Sequence, residues 1–178
     1  GRHHFMTKRF DRLPSGEKLH MQSLCALCHY DFNMAGAYSY EQAIQCCQDL
    51  HLGKAAMRDM FRRMCFNVIM RNQDDHTKHI AFLMDKQGKW TLSPAFDVTY
   101  SYNPNGAWTS QHQMCINGKR DHFIREDLLA VARLFRIGKP NEVIDKILST
   151  AKRWPLFAEK AKIKENRAVK IGKAHRMI

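Results

Sequence analysis

Glycine arranged to hold phosphate is missing from this sequence. None of its nine glycines are spaced as G-x-G and no Walker pattern occurs, so the chain brings no phosphate-cradling loop of its own. No apolar run approaches eighteen residues and no leader-like segment opens the chain, an absence that argues against a membrane-spanning helix and for a cytoplasmic protein. Internal repeats and low-complexity tracts are absent as well. Acidic residues are scarce, 17 against 29 Lys and Arg. The resulting charge of +12 favours acidic partners such as nucleotides, nucleic acid or acidic protein faces, and equally serves solubility. The six cysteines (Cys25, Cys28, Cys46, Cys47, Cys65 and Cys115) lack the loop spacing of a disulfide scaffold, so they read as reduced thiols. Cys25-Ala26-Leu27-Cys28-His29 spells the haem-attachment pattern, but it continues the apolar helical pattern of Leu19, Leu24 and Leu27, and a buried helix is the better account.

What is present is enough for one core. With 178 residues, 44% of them hydrophobic, the chain makes a single domain or lobe, and its periodicity reads as mainly α (α+β), a helical bundle with small β-hairpins. Residues 1 to 10 read as a strand leading into Arg9-Phe10-Asp11-Arg12. Amphipathic helices are expected over Glu17 to Tyr30 and Ser39 to Leu50, with a loop at Asn33 to Gly36. The strongest helix runs from Lys54 to Met70, with Met57, Met60, Phe61, Met64, Cys65 and Val68 on one arc and Arg58, Arg62 and Arg63 outside it. Val98 to Tyr102 leads into the turn Asn103-Pro104-Asn105-Gly106, followed by a surface loop that packs Trp108. Further helices are expected over Arg125 to Phe135, from Pro140, and from Trp154-Pro155 to about Lys164. Nine Lys or Arg lie between Ala151 and Ile178, read as a solvated face or terminal helix rather than a grip on DNA or RNA.

One stretch stands apart: Asn72-Gln73-Asp74-Asp75-His76-Thr77-Lys78-His79. Carboxylates and imidazoles this dense are costly in a core, so the expectation is that they face solvent, a metal or a phosphate. After it, Ile80 to Met84 and Trp90 to Leu92 flank the turn residues Asp85-Lys86-Gln87-Gly88, the pattern of a hairpin. A hairpin joins its ends, so Asp97 should return beside Asp74, Asp75, His76, Lys78 and His79. That set suits metal-assisted phosphoryl transfer: one Asp takes the proton of an attacking hydroxyl, another holds Mg²⁺ on the phosphates, and a Lys offsets charge on the transferring group. His-x-x-His beside carboxylates also suits a catalytic transition metal, so a metal-dependent phosphohydrolase is a second reading. A third is a non-catalytic basic scaffold for nucleic acid or a protein partner.

Asn72-x-Asp74-Asp75-His76-x-Lys78, a strand, and then Leu92-Ser93-Pro94-Ala95-Phe96-Asp97 resembles the C-terminal lobe of HipA-type serine/threonine kinases, the toxins of bacterial toxin–antitoxin pairs. Arg9-Phe10-Asp11-Arg12 and Ile116-Asn117-Gly118-Lys119 match in the same order, so the likeness covers nearly the whole chain. The resemblance implies a kinase-like C-terminal lobe over residues 1–178, ATP and Mg²⁺ as cofactors, a protein substrate, and an antitoxin partner through which nucleic acid is met only indirectly. It makes Asp74 similar to the catalytic base, with Lys78 and the nucleotide-side His76 beside it, and Asp97 similar to the metal-binding DFG aspartate. His79 stands at the metal position where the family has Asn. Imidazole suits softer metals than Mg²⁺, so a weakened second metal site or a preference for Mn²⁺ is expected. By the same resemblance residues 1–12 form the inter-lobe hinge, with Phe5, Met6, Thr7 and Lys8 lining an adenine pocket. The N-terminal lobe with its phosphate loop is expected outside this chain.

Overall fold

In the computed structural model, which describes His4 and residues 6–178, the elements follow the order β1 (His20–Ser23), α1 (Leu24–Leu27), α2 (Tyr40–Asp49), α3 (Gly53–Met70), a 3-10 turn (Thr77–His79), β2 (Ala81–Met84), β3 (Trp90–Leu92), α4 (Arg125–Leu134), α5 (Pro140–Lys152), α6 (Trp154–Lys160) and α7 (Glu165–Ala174). Phe5, assigned above to the adenine pocket, lies outside the described residues. Around α3, α2 packs on one side and α5 on another. Met60, Phe61, Met64, Cys65, Val68 and Ile69 of α3 are buried, meeting Ile44 from α2, Leu128 from α4 and Ile144 from α5 in the core. Shared burial of the apolar stripe holds these helices together far more than their propensities do.

The helix starts have local causes. Ser39 caps α2 in a reciprocal box, its Oγ accepting from Gln42 N and its own N–H donating to Gln42 Oε1, which satisfies two donors the first turn would leave orphaned. Pro140 occupies the first turn of α5, where its missing N–H costs nothing. At α4 the Asp127 carboxylate accepts from Ile124 N, Asn117 Nδ2 and Lys119 Nζ, each at 2.9 Å. That bond set explains the Ile116–Lys119 motif: a tight turn, with Asn117 and Gly118 both at positive φ, presents two donors to the start of the next helix.

Three expectations fail. The helix expected over Glu17 to Tyr30 is instead β1 and the single turn α1, capped by Ser23. β1 pairs antiparallel with β2, Met21 opposite Leu83, and β2 with β3, Phe82 opposite Leu92. The backbone partners offered by β2 outweigh the weak helical pattern of these four residues. Residues 6–9 form no strand; the first ordered pairing is a bridge from Arg12 to Lys18. Asp11 there is buried and accepts from Arg9 and Arg12, and the bond from Arg9, against the opposing effect of burial, lowers its carboxyl to about 2. Val98 to Tyr102 is irregular, and Trp108 is 59% exposed rather than packed. The turn at Asn103 to Gly106 does form, closed by Gly106 N donating to Asn103 O.

All six cysteines are free, with Cys46, Cys47 and Cys65 buried. Among the described residues no helix is long and apolar enough to cross a membrane.

Candidate active site

α3 ends at Arg71, whose left-handed backbone (φ 59°) turns the chain out of the helix and into Asn72 to His79. Immediately beyond, β2 and β3 form the expected hairpin. Asp85 Oδ1 accepts from the N–H groups of Gln87 and Lys89, and Gly88 supplies a φ of +79°. The returning strand is pinned where it leaves the sheet: Ser93 N donates to Ala81 O at 3.0 Å, and Arg63 Nη2 donates to Ser93 O at 2.5 Å. Four residues later comes Asp97, itself at positive φ (51°).

The hairpin returns Asp97 as its geometry requires. Its Oδ2 lies 2.9 Å from His79 Nε2, while His79 Nδ1 lies 2.8 Å from the backbone oxygen of Asp74. A carbonyl only accepts, so Nδ1 carries the hydrogen, and Nε2 faces the carboxylate with either a second proton or a cation between them. Two ligand atoms at right angles, each ~2.1 Å from one octahedral cation, stand ~3.0 Å apart, so the observed separation fits cis ligands of one ion. With an ion there, the Asp74 carbonyl would be the outer partner that orients the His79 imidazole. His76 lies against His79 with ring centroids 3.8 Å apart and planes tilted by 38°, and its Nε2 is 3.7 Å from Asp74 Oδ1. Burial, reinforced by the neighbouring His79, lowers the His76 pKa, which keeps its ring neutral near pH 7. Its Nδ1 is buried without a partner. Ligand atoms of Asp74, His76 and His79 all lie within 4.8 Å of one another. Asp74 and Asp97 thus flank the two adjoining imidazoles.

His76, His79 and Asp97 open onto a cavity of about 570 Å³ whose other walls come from α3 and α5, a size suited to a small-molecule site. Arg58, Arg62, Arg63 and Lys146 also line it, with Arg62 and Arg63 paired to Asp59. Asp74 stands beside the cavity rather than in its lining. Lys78 is exposed and rests its ammonium 3.5 Å from the centre of the Phe32 ring. Met6, Thr7 and Lys8 are exposed, Met6 by 92%, and line none of this cavity.

Asp75 behaves differently from its neighbour. It was expected to face solvent, metal or phosphate, but it is buried and spends both oxygens on the protein: Tyr40 OH donates to Oδ2 at 2.9 Å, His112 Nδ1 to Oδ2 at 2.7 Å, and Gln113 N to Oδ1 at 2.8 Å. Burial alone would raise its pKa. His112, Gln113 and Tyr40 together outweigh that and hold the carboxyl below the usual range. Tyr40 in turn accepts from Asn67 Nδ2 at 2.8 Å, and Asn67 Oδ1 from Asn72 Nδ2 at 3.0 Å. This chain of bonds ties both ends of the Asn72–Asp75 stretch to α2 and α3. Tyr40, Asn67 and His112 escape the sequence pattern because they are 35, 8 and 37 residues from Asp75, and nothing local marks them.

The model of the HipA-like C-terminal domain matches residues 1–155. No curated protein matches the chain. Among solved structures, a chain of the Shewanella oneidensis MR-1 toxin–antitoxin complex of HipA, HipB and operator DNA aligns with a TM-score of 0.68 at 19% identity, over 93% of this chain and 45% of that one. At that identity the likeness is one of fold, and it agrees with the α+β lobe expected from the sequence. This chain therefore spans less than half the length of that relative. Because the match runs from the first residue through α5 and takes in the whole Asp74-to-Asp97 hairpin, the chain belongs to the HipA-like C-terminal domain family.

Proposed function

We propose that this chain is the base- and metal-carrying lobe of a HipA-type serine/threonine protein kinase, which transfers the γ-phosphoryl group of ATP to a hydroxyl of a protein substrate in the cytoplasm. The observation that carries the reading is the return of Asp97 to 2.9 Å from His79, whose other ring nitrogen is fixed on the Asp74 carbonyl. Asp74, its side chain 45% exposed, is the general base for the incoming hydroxyl. Asp97 and His79 hold a divalent cation, Mg²⁺ or Mn²⁺. When bound, that cation supplies charge neutralisation on the phosphates. His76, neutral and beside Asp74, offers a hydrogen bond to a phosphate oxygen, and Lys78 is long enough to leave the Phe32 ring for a transferring group. Met6, Thr7 and Lys8 approach adenine only when a second lobe closes over them. A lobe without a phosphate loop holds the nucleotide from one side, so efficient transfer belongs to the longer protein. The Shewanella structure contains HipB and operator DNA; by analogy this chain's partner is an antitoxin, with nucleic acid reached through it.

The test measures phosphoryl transfer from ATP by the full-length protein and its Asp74→Asn, Asp97→Asn and His79→Asn variants, with Mg²⁺ or Mn²⁺. Loss of the base or the metal carboxylate should lower kcat by about 100-fold or more. His79→Asn, which substitutes a hard oxygen for imidazole, should shift the preference from Mn²⁺ toward Mg²⁺. Undiminished transfer by Asp97→Asn would refute the assignment. The close grouping of Asp74, His76 and His79 also favours a second reading, a metal-dependent phosphohydrolase. Zinc or iron surviving dialysis, with phosphate released in the absence of a protein acceptor, would select it.

A further inference from the structure

After α7, and beyond the residues the family model covers, the chain turns back into the molecule. His175 and Arg176 are each 8% exposed, and Arg176 N donates to Ile69 O at 2.9 Å, which seats it against the last turn of α3. From there the Arg176 guanidinium reaches both neighbours of Asp74. Nη1 lies 2.8 Å from His112 Nε2, and the opposite nitrogen of that ring is the one bound to Asp75. Nη2 lies 3.4 Å from Gln73 Oε1 and also pairs with Asp121. Gln73 is fully buried, accepts a second bond from Arg71 Nη1 at 2.9 Å, and donates from Nε2 to Thr109 O.

A guanidinium has donors only, so His112 Nε2 must be the acceptor and the ring proton must sit on Nδ1, aimed at Asp75. Among the described residues the Asp74 carboxylate makes no hydrogen bond, and it stands 3.7 Å from His76 Nε2. Its place is therefore set by the residues on either side. A buried arginine is costly unless its bonds are specific; Nη1 of Arg176 also donates to Val68 O at 3.1 Å and Nη2 pairs with Asp121, while its bonds to Gln73 and His112 lead to the two residues that flank Asp74.

We infer that Arg176 is a positioning residue for Asp74: by bonding the far nitrogen of the His112 ring that holds Asp75, and by bonding Gln73 directly, it clamps the backbone carrying the general base from both sides. This rests on Asp74 being that base.

The experiment uses the full-length protein with Arg176→Ala and Arg176→Lys, and Asp74→Asn as the benchmark for the base, each assayed well below its melting temperature. A misplacement of ~1 Å costs about 100-fold in rate. Arg176→Ala should therefore lower kcat about 30- to 100-fold while leaving KM for ATP within about threefold, because binding of the nucleotide does not pass through Asp74. Nitrogen-15 NMR of the imidazoles should show the His112 Nε2 resonance shift as it loses its guanidinium donor, and hydrogen exchange at the Gln113 amide, the third donor to Asp75, should accelerate. Arg176→Lys keeps a donor opposite Nε2 and should recover part of both signals. Unchanged kcat in Arg176→Ala beside an inactive Asp74→Asn would overturn the inference and leave the kinase reading standing, as would unchanged exchange at the Gln113 amide. Full activity in Asp74→Asn would remove the base assignment and this positioning role with it.

Discussion

Replacing Asp75 by Asn, set beside the same change at Asp74, separates two adjacent acids by what each one touches. The Asp75 carboxylate is an acceptor toward three donors, Tyr40 OH, His112 Nδ1 and Gln113 N. An amide in its place has one oxygen. If that oxygen faces Gln113, the new NH₂ meets the hydrogen on His112 Nδ1; if it faces His112 and Tyr40, the NH₂ meets the Gln113 N–H. His112 cannot escape by changing tautomer, because a hydrogen on Nε2 would then meet Arg176 Nη1 at 2.8 Å. Losing a hydrogen bond to a buried carboxylate and leaving a donor unsatisfied costs about 3 kcal/mol. At ~2–4 °C per kcal/mol for a chain of this size, the melting temperature should fall by about 10 °C. Asp74, with its side chain 45% exposed and no short bond, should change stability by no more than about 0.5 kcal/mol when replaced by Asn, while removing phosphoryl transfer. Thermal unfolding followed by circular dichroism decides it. A fall of less than about 3 °C for Asp75→Asn, or equal effects at the two positions, would refute the hydrogen-bond accounting.

Acid should unfold the protein in two stages. Burial lowers the pKa of His175, so that stability is present above the unfolded value of ~6.5 and lost as pH falls. Burial opposes ionisation of Asp75, Asp121 and Asp127, but their donors outweigh it and depress all three. Their contribution is complete above ~3.9 and lost as pH falls through the lower folded values. Melting temperatures between pH 7 and pH 3 should show both declines, and His175→Leu should reduce the upper one, to which the part-buried His76 also contributes; an unaltered profile in that variant would contradict the assignment. Thiol labelling should be partial in the native state: burial pushes the Cys47 thiol up to about 12 and raises Cys46 and Cys65 as well. Those three should react with a thiol-specific disulfide reagent only after unfolding, and rapid native labelling of all six would contradict the packing of α2 and α3.

The amino-acid pattern by itself determined the parts whose cause is local. The Met60–Val68 stripe reads as the core face of α3 because its spacing follows the helical period. The hairpin reads from alternating apolar strands around an Asp–Gly-bearing turn, and a hairpin's geometry then obliges Asp97 to meet His79. Long-range pairing decided the rest. Residues 20–23 carry no strong strand signal and become β1 because β2 offers them a free edge. Asp75 looks identical to Asp74 in one dimension, yet a tyrosine from α2 and a histidine 37 residues on draw it inward and leave Asp74 outside. Arg176 sits in a basic stretch that reads as solvated surface, and only folding brings it against α3, where its five donors find Gln73, Asp121 and His112. Side-chain period encodes which face of an element is buried; which distant group waits on the other side of that face is settled by tertiary packing alone.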